Sequence, residues 1–258
     1  MTDSVRTGTA PARAPVRALL FDVFGTLVDW RGSIAREVAA LATHQGWAQG
    51  DPRAFGEAFA DAWRARYQPA MQEIRSGRQS FCKLDALHRR NLDAVLTAFG
   101  LEAHLDEAQR RQLNFAWHRL DAWPDVPAGL QRLRALGLRL APCSNGNISL
   151  MADLARHNGL HWDAVLGAEF ARDYKPQPGV YLDSAAAFDC TPAEAVMVAA
   201  HSDDLVAAAA LGLRTAFIAR PDEFGPGRGE AAPQGLEPDW VAGSLLELAD
   251  QLERSASP

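Results

Sequence analysis

Lysine is almost missing from this chain: of its 26 basic residues only Lys83 and Lys175 are lysine, and the rest are arginine. Cysteine is scarce as well. Cys82, Cys143 and Cys190 are odd in number, far apart and without CxxC spacing, which excludes a disulfide framework and a thiolate zinc site and makes a reducing, cytoplasmic compartment the expectation. No stretch approaches the roughly 18 apolar residues that a membrane span requires, so no membrane partner is expected. A basic surplus is also lacking: 26 Lys+Arg against 32 Asp+Glu leave a net charge of -6, the wrong balance for meeting nucleic-acid phosphates. There is no internal repeat and no sustained low-complexity tract.

What is present suits a folded chain with a sizeable core. Its 258 residues are 48% hydrophobic and 22% charged, enough for one large domain or one domain with a long insertion. The first fifteen residues, MTDSVRTGTAPARAP, have no apolar h-region and read as a flexible leader. From Val16 the run VRALLFDVFGTLVDW has the form of a buried parallel strand that ends in a functional loop. After Trp30 the spacing turns helical, with about four helices up to Trp123 and breaks near Gln49–Pro52, Ser76–Arg78 and Gly100. Two prolines in Trp123–Pro127 mark a boundary. Beyond it helices alternate with strands: AGLQRLRALG with LRLAPCS, SLMADLARHNG with AVLGAE, VYLDSAAAF with EAVMVAA, and LVAAAALG with RTAFIA. EPDWVAGSLLELADQLE adds a last short strand and a helix.

Strands separated by single helices imply right-handed parallel βα units, hence an α/β fold with a doubly wound, mostly parallel sheet. Ligands bind beyond the carboxyl ends of such strands. The candidates there are Asp22 and Thr26, Ser144 and Asn145, Lys175, and Ala199 to Asp204. Taken alone, Asp22 is a turn cap. A carboxylate at a crevice, partly stripped of water, can also act as a nucleophile.

Asp22-x-x-Gly25-Thr26, Ser144, Lys175-Pro176 and Asp203-Asp204 resemble, in order, the four motifs of the haloacid dehalogenase-like hydrolase superfamily, over residues 16–258. That resemblance implies a Rossmann-like core of residues 16–29 and 126–258, an inserted helical cap over 30–125, and a nucleophilic Asp22 with Ser144 and Lys175 steadying charge. Most such enzymes are magnesium-dependent phosphatases with a second acid two residues after the nucleophile. Here that position is Phe24, and an earlier acidic position of the fourth motif falls on Ala200. The chain is similar instead to the L-2-haloacid dehalogenase branch, which uses no metal or other cofactor and carries an aromatic at the position of Phe24. Arg64 lies where that branch contacts halide, Asn145 completes its Ser-Asn pair, and Tyr181 follows the lysine by six.

The resemblance implies hydrolysis of short 2-haloalkanoic acids to 2-hydroxyacids with inversion at C2, through an ester on Asp22, with water activated near Asp204 and Lys175. Arg64 and Asn145 are expected at the departing halide. Ser144, Lys175 and amides near Gly25-Thr26 are expected at the substrate carboxylate, and Phe24, Tyr181 and Trp63 are expected to keep the pocket dry. A homodimer is implied too. His201 departs from the branch's Asn, either orienting or activating water or serving as a structural link; Asp203 is left without a role, and the preferred halogen stays open. In a chain that otherwise uses arginine, Lys175 marks a place for a compact ammonium. Two alternatives remain: a magnesium-dependent phosphatase or phosphonate hydrolase of the same superfamily, and a non-catalytic metabolite binder.

Overall fold

Four apolar residues at the head of the chain form its central strand. In the computed structural model, which describes residues 14–47 and 50–256, β1 (Ala18–Phe21) is wholly buried, with Leu19 and Phe21 on one side of the sheet and Ala18 and Leu20 on the other. A turn leads to β2 (Val28–Asp29) and then to α1 (Trp30–Gln45), α2 (Pro52–Ala65), α3 (Tyr67–Arg75), α4 (Leu84–Ala98) and α5 (Glu107–Asn114). A 3₁₀ turn, Phe115–Arg119, and β3 (Asp121–Ala122) bring the chain back. β2 and β3 pair antiparallel, Val28 with Ala122 and Asp29 with Asp121, so the helical excursion leaves and returns through one ribbon.

The second part comprises α6 (Val126–Ala135), β4 (Arg139–Ser144), α7 (Ile148–Asn158), β5 (Leu166–Gly167), α8 (Ala168–Ala171), α9 (Pro178–Ala186), β6 (Ala195–Ala199), α10 (Ser202–Ala210), β7 (Arg214–Ile218), β8 (Trp240–Ala242) and α11 (Leu245–Ala256). Its strands and β1 form a six-stranded sheet ordered β5-β4-β1-β6-β7-β8, every pairing parallel. This is the doubly wound α/β architecture. Strand order reverses between β1 and β6, which opens a crevice at their carboxyl ends. Buried Arg220 braces the rim, donating from Nε to the Thr26 carbonyl (2.8 Å) and bidentately to Asp125 (2.7 and 3.0 Å).

Several elements depart from the sequence expectation. The leader falls outside the described residues except for Ala14 and Pro15. α2 and α3 break at Arg66, where Pro69 in the first turn of α3 has no N–H for the Ala65 carbonyl and its ring crowds that carbonyl, and Asn91 Nδ2 donates to the Arg66 carbonyl (3.2 Å). α10 begins at Ser202, which puts Asp203 and Asp204 in a first helical turn rather than at a strand end. The strand expected over AVLGAE shrinks to Leu166–Gly167. Gly167 has φ +98°, and a Cβ there would lie 2.3 Å from the Ser144 carbonyl oxygen. No helix of the described residues is long and apolar enough to cross a membrane.

Gly167→Ala should therefore destabilise the chain by about 2–4 kcal/mol, since it combines a strained backbone with a clash against main chain that cannot swing away. Urea denaturation followed by circular dichroism measures this, and a change below about 0.5 kcal/mol would contradict the close approach.

Candidate active site

The carboxyl end of β1 delivers Asp22 to the crevice, where its side chain is only 9% exposed. Its peptide N–H donates to the Val198 carbonyl (2.9 Å), which fixes it against β6. Lys175 Nζ donates to Asp22 Oδ1 (2.8 Å) and to Asp204 Oδ2 (2.5 Å). Thr26 Oγ1 donates to Asp22 Oδ2 (2.7 Å) and accepts the Ala200 N–H (2.9 Å), tying the two strand-end loops together. Tyr181 donates its hydroxyl proton to Asp204 Oδ1 (2.5 Å). Oδ1 of Asp22 thus has one donor, while Oδ2 has two, the second being His201 Nδ1 at 3.0 Å.

The electrostatics follow from these contacts. Burial raises the Asp22 carboxyl, but the Lys175 ammonium and His201 outweigh it and hold the group well below the usual carboxylate range. Asp204 is raised, because burial and the Asp22 charge exceed the pull of Lys175. Burial opposes the charged form of His201, yet its hydrogen bonds to Asp22 and Glu223 push it up to about 10. His201 is an imidazolium at neutral pH.

Glu223 is the functional residue that the sequence reading missed. Both its oxygens lie 3.0 Å from His201 Nε2, and Oε1 also accepts the indole N–H of Trp30 (3.0 Å). It sits in the loop after β7, so the strand-end rule pointed to its neighbourhood. Gly25 is the other signal: at φ +86°, a Cβ would stand 2.0 Å from Glu223 Oε1. Glycine after Phe24 is what lets that carboxylate reach the histidine.

A cavity of about 730 Å³ opens over this cluster, lined by Asp22, Phe24, Arg64, Asn145, Lys175, Tyr181, His201, Asp203 and Asp204 among others. Phe24 is buried against the rings of Tyr67, His88 and Trp117, with centroids 6.3, 6.3 and 5.8 Å away. The Arg64 guanidinium lies 4.0 Å from the Tyr67 ring centre and 5.2 Å from that of Trp30, and its Nη1 is buried with no hydrogen-bond partner. An unpartnered buried cationic N–H is a subsite that wants an anion. Asn145 Oδ1 accepts the Lys175 peptide N–H (2.9 Å).

Two of the groups expected at the substrate carboxylate, the Ser144 hydroxyl and the Gly25 amide, have partners within the protein. Ser144 is wholly buried and does not line the cavity; its hydroxyl accepts the Gly146 N–H (3.0 Å) and so shapes the turn that presents Asn145. The Gly25 amide donates to the Val28 carbonyl (3.0 Å) and is not free for a carboxylate. Lys83 is a half-exposed surface residue paired with Glu169 at 2.8 Å. Among the described residues, no group of three or more His, Cys, Asp and Glu side chains is arranged to hold a metal ion.

Comparison with known proteins agrees with this geometry. A family model described as a haloacid dehalogenase-like hydrolase matches residues 16–212. (S)-2-haloacid dehalogenase 1 of Pseudomonas sp. (strain CBS-3) is 29% identical over 215 residues, covering 81% of this chain and 88% of that protein. The crystal structure of the defluorinating L-2-haloacid dehalogenase Rha0230 is 44% identical, covers 95% of this chain and 100% of its own, and superposes with a TM-score of 0.87. An L-2-haloacid dehalogenase from Xanthobacter autotrophicus with chloropropionic acid covalently bound is 26% identical, with coverages of 94% and 100% and a TM-score of 0.75.

The imidazolium between two carboxylates makes a pH prediction. A group whose pKa is raised on folding contributes stability that is complete below its unfolded value of about 6.5. That contribution is lost as pH rises through about 10. The thermal midpoint should fall over that interval, and Glu223→Gln should lower the His201 titration as followed by NMR. A His201 titration unmoved by Glu223→Gln would contradict the sandwich.

Proposed function

The chain belongs to the haloacid dehalogenase-like hydrolases and, within them, to the L-2-haloacid dehalogenase branch, and on that footing we propose how it hydrolyses the carbon–halogen bond of short (S)-2-haloalkanoic acids. The observation that carries the reading is a deprotonated Asp22, held by Lys175, Thr26 and His201 beneath a cavity in which Phe24 stands where a phosphatase would place its second acid.

Asp22 Oδ1, the oxygen with one donor, attacks C2 from the face opposite the halogen. A C2–O bond forms as the carbon–halogen bond breaks, the electron pair leaves with the halide, and C2 inverts. Arg64 Nη1, with Asn145, receives the halide. An ammonium has three N–H donors; Asp22 and Asp204 take two of those of Lys175, and the third is available to the substrate carboxylate. The aromatic wall of Phe24, Trp63 and Tyr67 lowers the local dielectric and strengthens these contacts.

Ester formation removes the charge from Asp22, so His201 loses one of the two anions that keep it protonated. It then gives its proton to solvent and becomes a base oriented by Glu223. Water attacks Asp22 Cγ; one of its protons goes to His201 and the other to the departing 2-hydroxyacid oxygen, and the Asp22 carboxylate is restored. Each turnover thereby releases one halide and one proton. Thr26 holds Asp22, while Tyr181 and Lys175 hold Asp204, beside the incoming water.

This reading takes residues 30–125 as the cap and residues 16–29 with 126–258 as the core, supported by the ribbon through which the helical excursion enters and leaves. It places the chain in the cytoplasm, consistent with three free cysteines, and as a homodimer, for which light scattering is the test. It involves neither nucleic acid nor membrane, and no cofactor.

Purified protein given (S)-2-chloropropanoate in EDTA should release chloride and (R)-lactate, and Asp22→Asn should abolish release. In a single turnover in heavy-oxygen water the label should enter Asp22 and not the product. His201→Ala should slow ester hydrolysis roughly a hundredfold to ten-thousandfold and accumulate a covalent adduct on Asp22, read by intact mass. No halide from any short haloacid, together with magnesium-dependent phosphate release from phosphomonoesters, would overturn the reading; tight ligand binding without turnover would do so in favour of a metabolite binder.

A further inference from the structure

The atoms that hold Lys175 in place do not all belong to the sheet. Its peptide N–H donates to Asn145 Oδ1 at the end of β4, but its carbonyl accepts from Arg75 Nη1 (2.8 Å), the last residue of cap helix α3. The next residue, Pro176, has no N–H to offer. The flanking residues face the same way. Tyr174 donates its hydroxyl proton to the Cys82 carbonyl (2.9 Å), with its ring 5.4 Å from that of Phe81, and Gln177 Nε2 donates to the Arg75 carbonyl (3.3 Å). Three contacts, from Tyr174, Lys175 and Gln177, therefore tie this segment to the helical excursion.

Arg75 is built for that task. Its Nε donates to Gln72 Oε1 (3.1 Å) and its Nη1 to Gln68 Oε1 (3.1 Å), so the guanidinium is oriented by its own helix before it reaches the lysine carbonyl. Gln68, Gln72, Arg75 and Gln177 also line the cavity. A planar five-donor fork suits a residue that must serve several acceptors at once.

We propose that Arg75 is a positioning residue: by holding the Lys175 carbonyl it makes the placement of the ammonium between Asp22 and Asp204 depend on the cap lying closed on the core. This rests on the role given to Lys175 under the proposed function. A lysine side chain is flexible, and its ammonium is placed only as well as its backbone. When the cap lifts, the bonds from Arg75, Tyr174 and Gln177 break together, the Lys175 peptide is released on its carbonyl side, and the Asp22–Lys175–Asp204 bridge loosens. Closing over a substrate restores it, so the nucleophile is fully set only when the cavity is shut. Arg75 touches no reacting atom, and its effect belongs in kcat.

The scarcity of lysine supplies a direct probe. In a Lys83→Arg background Lys175 is the only lysine, so its ammonium resonance can be followed by nitrogen NMR in the free protein. Arg75→Met should shift and broaden that resonance and lower kcat about tenfold, with KM for (S)-2-chloropropanoate within about twofold, as expected for a lost interaction felt at the transition state. Arg75→Lys, which keeps a donor, should recover most of kcat. Tyr174→Phe, which leaves Arg75 intact, should change both readouts in the same direction by less, and serves if Arg75→Met does not fold. An unmoved Lys175 resonance with unchanged kcat, accompanied only by a lower melting temperature, would overturn the proposal. Because the resonance is read without substrate, absence of halide release by the unaltered chain would count against the reaction and not against the coupling.

Discussion

A lysine ammonium, 7% exposed, stands between two carboxylates that are buried nearly as deeply. None of the three could remain there alone, since an uncompensated buried charge costs several kcal/mol. Lys175, with His201, holds Asp22 below the usual carboxylate range, while burial and the Asp22 charge leave Asp204 raised. The geometry also explains the choice of cation. Asp22 and Asp204 approach from different directions, and a compact ammonium with rotatable donors serves both, whereas a planar guanidinium would impose its own plane. A chain that otherwise uses arginine keeps a lysine at this point.

That bridge exists because of the way the sheet is wound. Asp22 follows β1, Asp204 opens the helix after β6, Asn145 follows β4, and Lys175 lies beyond β5. Parallel strands deliver all four to the same edge, and the reversal of strand order beside β1 leaves the gap in which they meet. The helical excursion lays an aromatic wall over that gap. Trp30, Trp63 and Trp117 are each 1% exposed, and Arg64 lies over the rings of Trp30 and Tyr67 with an unused N–H. The wall excludes water on one side while the bridge holds charge on the other, and carboxylate attack on carbon needs both.

His201 adds a second layer of charge to the same carboxylate. An imidazolium flanked by two anions is a poor base, and the proposed reaction changes this by turning one anion into an ester. In that proposal the histidine stays protonated while Asp22 must be an anion and becomes available when water must be activated. Glu223 reaches it only because Gly25 has no side chain, so one glycine in the first motif serves a residue about two hundred positions later.

Much of the site was legible in linear order. Asp22, Thr26, Arg64, Asn145, Lys175, Tyr181, His201 and Asp204 are all recognisable from motifs and strand ends, because a parallel βα sheet maps strand ends onto one face wherever they fall in the chain. The same logic established the α/β class and the direction of the sheet, since period, length and turn chemistry are local properties. Other features were decided only by contacts between distant segments. The close approach of Gly167 to the Ser144 main chain is one of them. The reach of Glu223 to His201, and the hold of Arg75 on the Lys175 carbonyl, have no signature in spacing at all. Sequence determines which groups can stand at the strand ends. Their partners, and hence their charges, depend on which loops the closed fold brings within about 3 Å.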